Sequence, residues 1–335
     1  MKSILHRFLI ASLVAMLAAS SILGAARAVS DSPAQTAEYI RSSLVEAQLS
    51  VTNDSETAAL FVKDAETAYQ AGLSDAIASS NSDAHKRVIA AFEDLTNSVA
   101  RKDTASFAAA RAQAWTGILA GSYSIIEEAI QNGDGQTAQK WLPLREFRTA
   151  TRFSRPNIGA TVSVESFIAG TISANDTLLS VRADVLDTYQ ARLSESLHDL
   201  TTADANGFAS RRAELAALAE GYFFILSPAY LEQRGNASLQ EGQAAFTDLR
   251  ISAIDHPQQL AEKLAVVEAA LNNFRAAPLS PAEQSRRAGQ LLRFLSLVPV
   301  EYGRGVANGR VTQDIEIQEA LTFHTGAYAA FTDLK

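Results

Sequence analysis

Glu316 and Glu319 stand three residues apart near the end of a 335-residue chain. On a helix that spacing puts both carboxylates on one face. An E-x-x-E pair can hold a hard or borderline cation through oxygen when further ligands join it. Glu301 and Asp314 are the nearest acids able to do so. The ordinary alternative is a solvated acidic flank, which is common on exposed helices.

His324 lies close by, but helix geometry separates it from that pair. It falls ~140° around the axis from Glu319, at ~100° per residue. Ile317, Leu321, His324, Tyr328 and Phe331 step by four, three, four and three, which puts His324 on an apolar stripe. The expectation is a core histidine bonded to a backbone carbonyl rather than a ligand. His85, His198 and His256 are scattered and have no H-x-x-H or H-x-x-x-H partner.

A second cluster is cationic. Arg145, Arg148, Arg152 and Arg155 interleave with Phe147 and Phe153. Guanidinium forks suit carboxylates or phosphate. Four arginines fall short of a nucleic-acid footprint, so the expected role is neutralising nearby acids, and no nucleic-acid partner is expected. Motifs for nucleophilic, zinc-hydrolytic, P-loop and dinucleotide chemistry are absent, as is any cysteine nucleophile. No enzyme activity is expected.

The elements that must position these side chains read as helices. Val88, Phe92, Leu95 and Val99 make one stripe; Val185, Tyr189, Leu193, Leu197 and Leu200 make another; Leu260, Leu264, Val267, Leu271 and Phe274 make a third. Asp54 caps a run that begins after it. Asn132-Gly133-Asp134-Gly135 ends one helix and starts the next. Pro257, Pro278 and Pro281 punctuate the later ones. The expected fold is all-α, a multi-helix bundle of ten to twelve helices in antiparallel hairpins. Ala160 to Val164 is the strongest strand candidate. Thr149 to Ser163 reads as the least helical interior stretch, and Pro299 to Thr312 as a second irregular one. The division this suggests is 1–28, 29–150 and 151–335, the last ending in the E-x-x-E helix.

There is also a faint internal repeat of helical hairpins. Phe107 to Arg111 is echoed at Phe208 to Arg212, and Ser210 to Ala213 at Ser285 to Ala288. Pro228, Tyr230 and Arg234-Gly235 are mirrored by Pro299, Tyr302 and Arg304-Gly305.

The N-terminus has the pattern of a cleavable secretory signal over residues 1–28. Lys2, His6 and Arg7 precede an apolar run from Phe8 to Ala19, and Ala26-Arg27-Ala28 closes it. The run is shorter than the ~20 residues of a spanning helix. Cleavage removes Lys2, Arg7 and Arg27 and no acid, so the net charge of −8 becomes −11. The expected location is periplasmic or otherwise extracytoplasmic. With no cysteine, disulfides and thiolate metal sites are excluded.

Two stretches resemble the extracytoplasmic N-terminal region of bacterial high-affinity iron permeases. One is Trp141-Leu-Pro-Leu-Arg-Glu-Phe-Arg148, continuing through Thr151 to Pro156. The other runs from Leu292 to Val306, then Gly309-Arg310-Val311 and Glu316-Ile-Gln-Glu-Ala320. The resemblance implies an all-helical region outside the membrane that presents or senses iron. It implies an iron ion as ligand, and a membrane permease subunit or a missing transmembrane domain as partner. Glu301, Glu316 and Glu319 fall on the second stretch as metal-contacting carboxylates. Arg145, Arg148 and Arg155 fall on the first, where a structural role is implied. The family's transport helices carry Arg-Glu-x-x-Glu in an apolar span. Here Arg145-Glu146 is followed by Thr149 in a charged neighbourhood, and the permease bundle is missing. Two other classes compete: a metal-independent helical interaction module of the cell envelope, and an imelysin-like bundle. The latter would want His-x-x-Glu, and no histidine has Glu three residues on. Oligomeric state is left open.

Overall fold

The computed structural model describes residues 32–147, 158–277 and 281–334. Residues 1–28, expected to be a signal, and Arg148, Arg152, Phe153 and Arg155 lie outside the described residues. Among the described residues there are twelve α-helices and one two-stranded ladder. The all-α expectation holds.

The first six helices are α1 (Pro33–Ser50), α2 (Ser55–Gly72), α3 (Ser74–Ser80), α4 (Ser82–Arg101), α5 (Thr104–Gln131) and α6 (Gly135–Trp141). Their boundaries follow from local chemistry. The Asp54 carboxylate accepts from Thr57 N at 3.0 Å and caps α2. Asp103 caps α5 through the amides of Ala105 and Ser106. Past α5, Gly133 adopts φ +79° and returns its N–H to Ile130, while Asp134 caps α6 at Thr137.

Helix α5 is apolar on most sides and sits at the centre. It packs against α4, α3, α6 and, most extensively, α9. Close approach is built in by glycine. A Cβ on Gly221 would lie 2.0 Å from Thr116 Oγ1, and one on Gly117 would lie 2.7 Å from Val88 Cγ2. The stripes read from α4 and α8 are buried in this core.

The next helices are α7 (Ile158–Ile168), α8 (Ala174–Ala205), α9 (Ala209–Asp255) and α10 (Leu260–Leu271), with a 3₁₀ turn at Pro257–Gln259. Ala160 to Val164, expected as a strand, lies inside α7, where Ala160 and Val164 are fully buried. Short apolar runs do not distinguish the two states, and packing on α8 decided this one. Helix α9 folds back on itself at Gly235 (φ +79°, ψ 171°). Phe223 stacks on Phe246 at 4.4 Å, and Arg212 Nε donates to Ala253 O at 2.9 Å. The element is therefore an antiparallel hairpin.

The chain closes with α11 (Pro281–Gly305), β1 (Val306–Ala307), β2 (Arg310–Val311) and α12 (Asp314–Leu334). Pro299 to Thr312, expected to be irregular throughout, is helical through Pro299 as far as Gly305. Val306 then pairs with Val311 and Ala307 with Arg310, around Asn308 (φ +52°) and Gly309 (φ +73°). Two central residues with positive φ make an Asn-Gly hairpin turn, a signal present in the sequence but not drawn from it. Helices α11 and α12 pack on each other, and among the described residues no helix of the preceding body packs along them. Arg-Gly thus ends a Pro-containing helix at both Gly235 and Gly305, and an antiparallel partner follows each time.

Candidate metal centre

The Asn308-Gly309 turn sets the register of the terminal hairpin. Phe294 faces Phe323, with ring centroids 6.1 Å apart, and Glu301 and Glu316 are placed just as symmetrically about the turn. On α11 the inward positions run 287, 291, 294, 298, 301 and 305. On α12 they run 316, 320, 323, 327, 330 and 334. Steps of four and three mark the seam of two packed helices. Glu301 and Glu316 therefore occupy seam positions where apolar residues are the rule.

Glu301 is only 6% exposed. Its Oε2 accepts from Arg304 Nη1 at 2.8 Å, one helical turn on. Glu316 is half-buried, and its Oε2 is shielded from water with no donor in reach. Glu319 is exposed and lies one turn further along α12. One carboxylate oxygen from each of Glu301, Glu316 and Glu319 lies within 4.8 Å of the others. Oxygens bound to one hard cation at ~2.0–2.6 Å sit no more than ~5 Å apart, so this spacing needs no backbone movement.

Electrostatics follow from the same geometry. The Glu316 carboxyl is held above the usual carboxylate value. A hydrogen bond shared with the Glu301 carboxyl is the largest cause, followed by burial and the negative charges of Glu301 and Glu319; Arg304 opposes them. Two facing carboxylates have acceptors only and need a proton or a cation between them. With Arg304, the three carboxylates carry a formal charge of −2, which a divalent ion neutralises.

Of the residues singled out in the sequence, Asp314 falls outside this cluster. His324 is not a core histidine. It is exposed, as are Leu321, Tyr328 and Phe331 on its stripe. The stripe that α12 buries is the adjacent one, ~100° around the helix. Arg145 is buried and structural. Its Nη1 donates to Leu142 O at 2.8 Å, its Nη2 donates to Thr161 Oγ1 at 3.2 Å, and the guanidinium stacks over Phe147.

Sequence reading missed two polar networks. Glu146 accepts from Trp115 Nε1 at 2.7 Å and Tyr222 Oη at 3.0 Å, beside Arg192. It borders a cavity of about 230 Å³ in which Arg41, Arg111, Arg192 and Arg211 are balanced by Glu146, Glu195, Asp199 and Glu214. Glu220 accepts from Arg250 Nε at 2.8 Å and Thr247 Oγ1 at 2.9 Å, next to Arg87. The available signal was an acid on the buried stripe of α9, with Leu215, Ala216, Ala219 and Phe223.

Two family models match. Residues 30–270 match the iron permease FTR1 N-terminal domain. The chain belongs to the iron permease family. Residues 279–335 match the iron permease-associated 4-helix bundle domain. The second match covers the hairpin that carries the carboxylates, and the two matches part where the body gives way to α11. Searches of curated proteins and of solved structures gave no match. Among the described residues of this permease-family chain, no helix is long and apolar enough to cross a membrane.

Proposed function

We propose that this chain is an extramembrane part of an iron-uptake permease system, and that it presents iron at Glu301, Glu316 and Glu319. The family match supplies iron as the transported substrate and a membrane permease as the context. The observation that carries the site is Glu316 Oε2, shielded from water without a donor and set against Glu301 at the hairpin seam. A divalent cation satisfies both carboxylates and draws Glu319 in as a third ligand. Three carboxylates leave positions open for water or for a receiving ligand, which suits cargo that must be released. The absence of sulfur ligands and the exposed Glu319 favour exchangeable binding over a closed structural site. Bilayer passage belongs, in this reading, to a membrane-spanning partner or segment. Residues 1–28 act as the export signal that puts the domain outside the cytoplasm.

Anaerobic calorimetry with ferrous ion, on chain lacking residues 1–28, tests the site. One ion should bind in the micromolar range, and Glu316→Gln with Glu319→Gln should weaken it at least ~30-fold, or ~2 kcal/mol. Wild-type chain that takes up no ferrous ion at millimolar concentration would refute the presenting role. N-terminal sequencing of envelope-extracted protein tests export, with Val29 expected as the first residue.

A metal-independent interaction module remains the second reading, favoured by the large exposed apolar side chains of the terminal hairpin. Retrieval of the same envelope protein with and without chelator would support it.

A further inference from the structure

The cavity of about 230 Å³ beside Glu146 is lined by residues of the body alone and has no part in the metal centre. It lies among α1, α5, α8 and α9. Its walls are of two kinds. Ile40, Leu44, Ile118, Leu215 and Leu218 give an apolar side, with the Trp115 indole among them. The other side is charged, and its carboxylates are largely taken. Arg111 Nη2 donates to Glu214 Oε1, and Arg211 Nη1 donates to Glu214 Oε2 at 2.8 Å. Glu195 Oε2 accepts from Arg192 Nη1 at 2.8 Å, and Glu146 Oε1 already holds Trp115 and Tyr222. Asp199 stands at the exposed rim, 3.8 Å from Arg211.

Two guanidinium groups keep donors to spare. Arg192 Nε is shielded from water and makes no hydrogen bond. Glu146 Oε2 is 3.7 Å from it, beyond hydrogen-bond reach. Arg41 is half-exposed; it lies over the Trp115 ring at 5.3 Å and touches Glu38 loosely at 3.4 Å. A shielded N–H without an acceptor is costly, so the polar side wants acceptors. Carboxylates match guanidinium forks, and two forks suit two carboxylates. The apolar side wants hydrocarbon, which an inorganic anion lacks. The chain as a whole carries −8, but inside the cavity four arginines offset four acids, so an anion is not repelled there. We propose that this cavity binds a small organic dicarboxylate. One carboxylate lies at Arg192 inside, the other at Arg41 at the mouth, and the carbon chain lies along the apolar side.

Calorimetry on the full chain with succinate, glutarate and adipate tests the site. At least one diacid should bind with a dissociation constant of about 1 mM or tighter. Trp115 is one of two tryptophans, so its emission, read in a Trp141→Phe background, should change over the same titration. Arg192→Gln and, separately, Arg41→Gln should each weaken binding at least ~5-fold. Arg41 is half-exposed, so its variant carries the test if Arg192→Gln does not fold. Glu146→Gln keeps an acceptor for Trp115 and Tyr222 while removing a negative charge. It should tighten binding at least ~2-fold, where a purely structural Glu146 would give loss or no change. The proposal is overturned if none of the three diacids binds at about 1 mM or tighter. It is equally overturned if phosphate or the neutral diamide of the best diacid binds as tightly, or if both arginine variants bind like wild type. No iron enters these titrations, so the outcome is independent of the metal centre.

Discussion

At the scale of residues, Glu301 and Glu316 sit where a helical hairpin normally buries leucine. Their mutual repulsion is relieved by Arg304, by a proton, or by a cation. The pH dependence follows in sign. Glu316 holds its proton more tightly in the folded hairpin than in the unfolded chain, so its contribution to stability is fully present below the ordinary value of 4.5. That contribution is lost as pH rises through the higher folded value. Thermal melts of metal-free protein should show the hairpin weakening with rising pH in that window, and Glu316→Gln should flatten the trend. Metal competes with the same proton, so apparent ferrous affinity should rise as pH rises. Calorimetry in two buffers of different ionisation enthalpy should detect proton release below neutrality. An affinity that falls with pH would contradict the site.

At the scale of elements, α5 and α9 meet through a glycine. Gly221→Ala places a methyl against Thr116, and melting should show a loss of about 1–3 kcal/mol, typical of overpacking. Glu220→Gln should cost about 2–3 kcal/mol. That is below the full penalty for a broken buried pair, because Arg87 and Arg250 remain about a quarter exposed. Chemical denaturation would measure both. Much at this scale was legible beforehand. The stripes at Val88 to Val99 and Val185 to Leu200 became core faces because apolar side chains repeated every 3.6 residues have nowhere else to go. The caps at Asp54 and Asp134 were legible because a carboxylate satisfies orphan amides locally. Ala160 to Val164 was not, since five residues fit either period.

At the scale of the whole molecule, the body ends at Ala276 and Ala277, which are buried, with Ala276 N donating to Gln190 Oε1 at 2.8 Å. The hairpin then stands beside it with its own seam. Chain shortened to residues 29–278 should keep the main melting transition within about 2 °C of the longer form, because little packing crosses the junction. It should lose ferrous binding. A collapse of the main transition would show that the hairpin supports the body.

By itself the sequence determined the helical class, the helix ends at Asp54, Asn132 to Asp134 and Pro281, and the shared helix face of Glu316 and Glu319, since these depend on local spacing and side-chain type. It did not determine which of two apolar stripes on α12 meets α11, and so it placed His324 inside when it faces out. Periodicity marks a side chain as apolar, but only the neighbour decides whether it is covered. The meeting of Glu301 with Glu316 was likewise a tertiary decision. It depends on the Asn308-Gly309 turn closing the hairpin in one register, and a shift of one residue would have sent those two carboxylates apart.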